Sequence, residues 1–340
     1  MHASPTAGPV RRGRAMRRLK EGARRRLRAV LAAVVTSALV VPLAGAARFE
    51  VPAPPPASPP PATSGTLAVV YAANRANATA ASQTAADHGY RHRAAATRAL
   101  AAPHRQMLAF DGRGAGLVTE VFGDLAHVDR VAVLVPGSDT GLDTYARFRR
   151  AARALHLKLR ATAPAGTRTA VVAWLGYATP DTISPAVATT GRAEAAAPRL
   201  RAVVGDLRRI TGRHAQLSLL CHSYGSVVCG RAAAGLNITD IAFLGSPGTG
   251  ADSVSRLKTR ARVWAARGAG DWVAHTPHVQ VGLLGVTVGF GTDPVSPAFG
   301  ARVFNAGPGG HSAYFTPASQ ALANLARIVL GRTAEVTDAA

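Results

Sequence analysis

The chain has 340 residues, of which 48% are hydrophobic and 17% charged, so it can bury a sizeable core and is not a disordered chain. Its two cysteines are too few for a disulfide-rich scaffold or a four-cysteine metal site. The formal net charge is +22, but ten basic residues lie within the first 46 positions and aromatic residues make up only 5%, so the pattern argues against a nucleic-acid partner.

Residues 1–47 join a basic stretch to an apolar run without charges, which ends in Ala44-Gly45-Ala46. This order is typical of a signal peptide, and the small residues favour cleavage. An uncleaved membrane anchor is the alternative, since 19 apolar residues can just span the bilayer core. Both interpretations predict a secreted or membrane-anchored protein that works outside the cytoplasm. The sequence leaves open whether translation starts at Met1 or at Met16.

The rest of the chain divides by composition into four parts. Residues 48–65 are rich in proline and predict an extended linker that holds the domain away from the envelope. Residues 66–106 are rich in alanine at helical spacing and predict a helical N-terminal extension. The main domain is expected at residues 107–333, and residues 334–340 form a tail.

Strands and helices alternate along the main domain. Residues 107–110 and 116–122 predict an antiparallel hairpin, and the apolar run RVAVLV at residues 130–135 predicts a strand buried on both faces. Further strands are expected at 169–175, 216–221, 240–244, 261–266 and 301–305, and helices at 144–159, 193–210 and 224–234. This order predicts an α/β fold with a mostly parallel sheet, an antiparallel N-terminal hairpin and helices on both faces.

The motif LLCHSYGS places Ser223 between a buried strand and a helix. A serine in a sharp strand–turn–helix connection is typical of the nucleophile elbow G-x-S-x-G, in which the hydroxyl projects above the sheet. The residues two positions to either side must be small so that strand and helix can approach each other. Gly225 meets this requirement, and Cys221 replaces the first glycine with another small residue.

A serine nucleophile needs a histidine base and an acid that orients the base, in the chain order Ser, Asp, His. His311 lies in Gly-Gly-His-Ser after the last predicted strand, where this order places the base. Asp271 follows the penultimate strand and is the favoured acid. Asp293 is the alternative acid, although an Asx turn before proline also accounts for it. His275 and His278 are assigned to a loop.

An oxyanion hole is expected beside the serine. One donor is the backbone N–H of Tyr224, and the second is that of Gly137 or Ser138, in the glycine-containing loop after the third strand. No lysine follows these glycines, so the loop is not a phosphate-binding loop.

Residues 107–331 resemble an uncharacterised, largely actinobacterial family of α/β-hydrolases. The resemblance rests on the motifs VAVLVPGSDTG, VAWLGYATP, LLCHSYGSVVCG, FLGSPG, GTDPVSPAFGARV and GHSAYF. It implies a hydrolase fold with a triad of Ser223, Asp271 and His311. It implies no particular substrate.

Two further features bear on the site. Cys221 and Cys229 are eight positions apart, and we expect two unpaired buried thiols because a strand end and the second turn of a helix should be too far apart for a disulfide. The loop at residues 176–192, with Tyr177, Pro180 and Ile183, is long enough to form part of an acyl or alcohol pocket.

Together these patterns predict an exported serine hydrolase that cleaves a small-molecule or lipid-like carboxylic ester through an acyl-enzyme on Ser223, without cofactor or metal. One alternative is an acyltransferase or peptidase that uses the same triad. Another is a non-catalytic envelope protein that keeps the fold and binds a ligand, which the cysteine at the elbow motivates. The basic charge also leaves open docking on an anionic envelope surface. The sequence predicts no oligomeric state.

Overall fold

An eight-stranded β-sheet runs through the protein. The structure is a computed structural model, and it describes residues 51–276, 280–283 and 286–339. The predicted leader at residues 1–47 and His278 lie outside the described residues. The strands are β1 (Gln106–Asp111), β2 (Leu117–Phe122), β3 (Arg130–Val135), β4 (Thr169–Leu175), β5 (Gln216–His222), β6 (Asp240–Leu244), β7 (Arg262–Ala266) and β10 (Arg302–Val303). Their order across the sheet is β1-β2-β4-β3-β5-β6-β7-β10.

Only the N-terminal edge of this sheet is antiparallel. β1 pairs with β2 and β2 with β4 in antiparallel register, whereas every pair from β4 to β10 is parallel. The predicted fold, a mostly parallel sheet that begins with an antiparallel hairpin, is therefore confirmed. Because β3, β5, β6 and β7 are parallel neighbours, the loops that follow them meet at one edge of the sheet.

Helices cover both faces of the sheet. The helices are α1 (Leu67–Asp87), α2 (Arg91–Leu100), α3 (Tyr145–Thr162), α4 (Gly191–Thr211), α5 (Gly225–Ala232) and α6 (Gln320–Val329). Alternate residues of β3 show the two faces: Val131, Val133 and Val135 pack in one cluster with α4 and α5, while Ala132 and Leu134 pack in another with α3 and α6. The run of apolar residues in β3 is thus explained by burial on both sides.

The N-terminal extension packs along the edge of the sheet. In α1 the side chain of Asn74 donates to the carbonyl oxygen of Met107 in β1, at 3.1 Å. The proline-rich segment also contacts the domain, since Asn77 donates to the carbonyl oxygen of Pro55 at 2.7 Å and Ala53 packs with the second core cluster. From residue 51 on, the segment for which we predicted a spacer thus lies against the helical extension.

A second, two-stranded sheet had no counterpart in the sequence prediction. β8 (Gln280–Leu283) and β9 (Val286–Gly289) form an antiparallel hairpin, which lies between β7 and β10 in the sequence. Among the residues that the structure describes, no helix combines the length and the apolar character needed to cross a bilayer.

The prediction for the two cysteines is wrong. Cys221 and Cys229 form a disulfide, with their Cα atoms 6.4 Å apart, inside the range that disulfides allow. The chain reverses sharply after β5, so α5 runs back beside the strand and brings its second turn next to the strand end. The separation expected from an extended path therefore overestimates the real one.

Candidate active site

Ser223 occupies the turn between β5 and α5 in the conformation expected of a nucleophile elbow. Its φ is +53°, a left-handed value that a non-glycine residue rarely adopts, and its N–H donates to the carbonyl oxygen of Leu244 at 2.9 Å. A Cβ added at Gly225 would lie 2.5 Å from the carbonyl oxygen of Pro136. Only glycine at this position lets α5 begin so close to the end of β3.

The structure brings Ser223, His311 and Asp271 together in a hydrogen-bonded chain. The Oγ of Ser223 lies 2.9 Å from Nε2 of His311, and Nδ1 of His311 lies 2.9 Å from Oδ1 of Asp271. The three residues follow β5, β10 and β7, so the parallel order of the sheet positions them at one edge. The side chain of Asp271 is fully buried and that of His311 is 15% exposed, so the base remains accessible from the cavity beside it.

Two donors besides His311 hold the carboxylate of Asp271. The backbone N–H of Val273 donates to Oδ1 at 2.9 Å, and the hydroxyl of Tyr314 donates to Oδ2 at 2.5 Å. Burial raises the pKa of Asp271, but the hydrogen bonds from His311, Tyr314 and Val273 outweigh it and bring the pKa down to about 2. Asp271 is therefore ionised at neutral pH.

The alternative acid lies away from His311. One oxygen of the Asp293 carboxylate accepts the backbone N–H of Val295, as in an Asx turn, and the other is 2.8 Å from Nη1 of Arg267. The ring nitrogens of His311 contact Asp271 and Ser223 instead. Of the two acids that the sequence left open, the structure thus brings only Asp271 to the histidine.

The residues predicted for an oxyanion hole surround Ser223. Gly137 is in direct contact with it, because a Cβ added at Gly137 would lie 2.6 Å from Cβ and 3.2 Å from Oγ of Ser223. Within the described part of the chain, the backbone N–H groups of Gly137, Ser138 and Tyr224 donate to no other protein group. Three residues with free amide donors thus line the same cavity as Ser223.

The loop that carries Gly137 and Ser138 is fixed by its other residues. The N–H of Asp139 donates to the carbonyl oxygen of Pro180 at 3.0 Å, and the Asp139 carboxylate accepts hydrogen bonds from the backbone and the hydroxyl of Thr182. These contacts hold the amides of the loop in place before a ligand binds, which is the condition for effective charge stabilisation.

A cavity of about 830 Å³ opens beside the serine. Helix α3 contributes one face to it, through Arg147, Phe148 and Ala151 at helical spacing, and Thr144, directly before the helix, also lines it. Most of the remaining wall is apolar. Its larger side chains are Val187, Trp272, Phe290 and Phe315.

The loop at residues 176–192 contributes to this cavity, but through residues other than those named from the sequence. Thr182, Val187 and Ala188 line it. Tyr177 is buried and donates to the carbonyl oxygen of Pro136 at 2.6 Å, which supports the loop of the free amides, whereas Ile183 is 98% exposed.

Three residues in contact with the triad escaped the sequence analysis. The ring of His222 lies 4.7 Å from that of His311, with the two ring planes tilted by 43°, and its Nε2 donates to the His311 carbonyl oxygen at 2.6 Å. Burial, followed by the neighbouring His311, lowers the pKa of His222 to about 4, so this side chain is neutral at pH 7. The Trp272 ring lies 4.8 Å from that of His311, and Tyr314 contacts Asp271. Their proximity in sequence to the triad residues was the available signal.

Comparison with known families gives one extended match. A family model described as "Alpha/beta hydrolase" matches residues 111–281, just over half of the chain. The matched segment contains β2 to β7 and the first two residues of β8, and it includes the elbow and Asp271, while His311 lies beyond its end.

The curated relatives are similar to this chain over only part of their own length. The chain is 30% identical over 252 residues to the uncharacterized protein Rv2079 of Mycobacterium tuberculosis (strain ATCC 25618 / H37Rv), an alignment that covers 66% of this chain and only 38% of that protein. The uncharacterized protein Rv0963c of the same strain is 30% identical over 163 residues, with coverages of 45% and 61%. The structure of XC6422 from Xanthomonas campestris, described as an a/b serine hydrolase without lid, is similar with a TM-score of 0.43 at 19% identity. That likeness covers 68% of this chain and 95% of that one.

Proposed function

Because the chain belongs to the α/β-hydrolase family, we propose that it is a serine hydrolase that cleaves carboxylic esters through an acyl-enzyme on Ser223. The observation that carries the proposal is the continuous chain of hydrogen-bonding distances from Ser223 Oγ through His311 to Asp271. The free amides of Gly137, Ser138 and Tyr224 add the charge stabilisation that acyl transfer requires.

Acylation uses these groups in a fixed order. Ser223 Oγ attacks the ester carbonyl carbon while its proton passes to Nε2 of His311, and the carbonyl oxygen becomes an oxyanion that the amides hold. Asp271 accepts the Nδ1–H of His311 and stabilises the imidazolium. Collapse of the intermediate breaks the bond to the alcohol oxygen, which takes the proton from Nε2 and leaves.

Deacylation repeats the sequence with water. His311 Nε2 removes a proton from the water as its oxygen attacks the acyl carbon, and the second tetrahedral intermediate expels Ser223 Oγ, which recovers that proton. The products are a carboxylic acid and the free enzyme. A different acceptor at this step would make the protein an acyltransferase, which product analysis in the presence of alcohols would detect.

The first prediction is that a fluorophosphonate probe labels the full-length chain covalently at Ser223. Labelling should be lost in Ser223→Ala and reduced by at least about a thousandfold in His311→Ala, since the serine hydroxyl is a poor nucleophile without its base. Gel fluorescence and mass spectrometry of the labelled peptide measure both effects.

Matched controls are available on the surface of the same domain. Ser255→Ala and His275→Ala each replace an exposed residue outside the triad and should label like the wild type. If the folded wild-type protein is not labelled, the proposal of an activated serine is wrong, and a non-catalytic ligand-binding role becomes the better explanation.

The shape of the cavity supports an ester with an extended apolar acyl group. Its volume of about 830 Å³ and its aromatic walls at Phe148, Phe290 and Phe315 suit a hydrocarbon chain, which gains about 0.8 kcal/mol for each buried CH₂ group. We propose that the acyl chain of the substrate lies along the face of α3 that carries Ala151.

The second prediction tests this placement with p-nitrophenyl esters of graded chain length. Ala151→Phe should lower kcat/KM for the octanoate at least about tenfold and leave the acetate nearly unchanged, because the new ring fills the space of a long chain. Ala146→Phe, on the exposed side of the same helix, is the control and should affect neither ester. An equal loss for both esters in Ala151→Phe would show that the acyl chain lies elsewhere.

We also propose that the domain works outside the cytoplasm, either secreted or anchored at the membrane. The basic and apolar composition of residues 1–47 supports export, and the disulfide between Cys221 and Cys229 is a bond that persists in oxidising compartments. Fractionation of cells that express the full-length chain, with mass determination of the N-terminus, would test this localisation.

A further inference from the structure

Among the residues that the structure describes, the phenol of Tyr314 donates its proton to one group. Tyr314 is 2% exposed, and its oxygen accepts the backbone N–H of Gly268 at 3.1 Å. Its own hydrogen is directed at Oδ2 of Asp271, 2.5 Å away. This distance is typical of a strong, charge-assisted hydrogen bond between a hydroxyl and a carboxylate.

The surrounding backbone packs closely against this pair. Gly245, which follows β6, has a φ of +51° and lies directly against the cluster. A Cβ added there would be 2.5 Å from Oδ2 of Asp271, 3.0 Å from the hydroxyl of Tyr314 and 3.1 Å from Nδ1 of His311. The phenol, the carboxylate and the imidazole are therefore packed together as one unit.

We propose that Tyr314 is a positioning residue that fixes the Asp271 carboxylate and moderates its negative charge, so that the carboxylate acts less strongly on His311 than an unrestrained carboxylate would. This inference rests on the proposed function of the triad. A hydrogen bond donated to a carboxylate draws charge away from it, so the carboxylate stabilises a neighbouring imidazolium less strongly. The phenol thus acts on the base through the acid.

The groups around His311 point to Tyr314 as the side chain whose effect on the Asp271 carboxylate a substitution can change. His222 packs on His311 from the end of β5 and is neutral, and the Trp272 ring carries no charge. Arg267 acts on Tyr314 from the end of β7, and its guanidinium is paired with Asp293. Burial and the hydrogen bond to Asp271 raise the pKa of Tyr314 above its usual range, which keeps the phenol protonated as a donor.

The test measures the rate of fluorophosphonate labelling of the full-length chain between pH 4 and pH 9. In Tyr314→Phe, which keeps the ring, the acid limb of the profile should move to higher pH by roughly half a unit or more. Replacement of Tyr314 by a ring-fluorinated tyrosine, whose hydroxyl is a stronger donor, should move the same limb to lower pH. Tyr145→Phe is the matched control, since it removes another buried phenol that donates to a carboxylate, that of Glu120 at 2.9 Å, and should leave the limb in place.

Opposite shifts in the two Tyr314 variants would support the inference, because a purely structural role lowers the rate without moving the limb in both directions. Unchanged limbs, or a move to lower pH in Tyr314→Phe, would overturn it while leaving the labelling of Ser223 intact. If Tyr314→Phe does not fold, the fluorinated variant still decides the question. Absence of labelling in the wild type would instead remove the proposed function, and this role with it.

Discussion

Replacement of Asp271 by asparagine should lower kcat for ester hydrolysis about 10⁴-fold and leave the fold intact. The amide keeps the size of the carboxylate but presents an NH₂ group or a neutral oxygen to Nδ1 of His311, which favours the wrong tautomer and removes the charge that stabilises the imidazolium. The carboxylate is fully buried and bonded to His311 at 2.9 Å, so water cannot take over its role. Steady-state kinetics with p-nitrophenyl butyrate would measure the loss.

Asp293→Asn is the matched control for this experiment, since the sequence alone left either aspartate as the acid. Asp293 pairs with Arg267 and accepts the N–H of Val295, so its substitution should change kcat by less than about threefold, with a small loss of stability. A large loss of activity in Asp293→Asn together with an active Asp271→Asn variant would show that the acid has been assigned to the wrong residue.

The sequence predicted the triad because its members depend on the order of strands along the chain. A parallel sheet brings the ends of β5, β7 and β10 to one edge, so placing Ser223, Asp271 and His311 after those strands was enough to predict that they meet. The ambiguity between Asp271 and Asp293 remained, because both follow β7 and the β8–β9 hairpin that separates them was not predicted.

The contacts around the triad could not be predicted in the same way. That Tyr314 turns back towards Asp271 depends on the path of the loop after His311, and the approach of Gly245 depends on the packing of a neighbouring strand. The wall of the cavity likewise depends on which side of α3 faces the serine. Such features arise from tertiary packing, which strand and helix periodicity does not encode.

The disulfide leads to the prediction with the largest expected effect on stability. Removing it in the double variant Cys221→Ala/Cys229→Ala should lower the free energy of unfolding by about 2.5 kcal/mol, the value expected from chain entropy for a loop closed over a separation of eight residues. Denaturation by urea, followed by circular dichroism, would measure the change, and the melting temperature should fall by about 5 °C.

The single variants distinguish a bonded pair from two independent thiols. If the bond forms, Cys221→Ala and Cys229→Ala each break it, so the second substitution should add little to the first in a double-mutant cycle. Two unpaired thiols would instead give additive losses and would both react with a thiol reagent in denaturant.

Because Cys221 is two positions before the nucleophile and Cys229 is on the helix that follows it, the bond joins the two sides of the elbow. The double variant should therefore also show a lower rate of labelling at Ser223, and an unchanged rate would indicate that Gly225 and the surrounding packing hold the elbow without the disulfide.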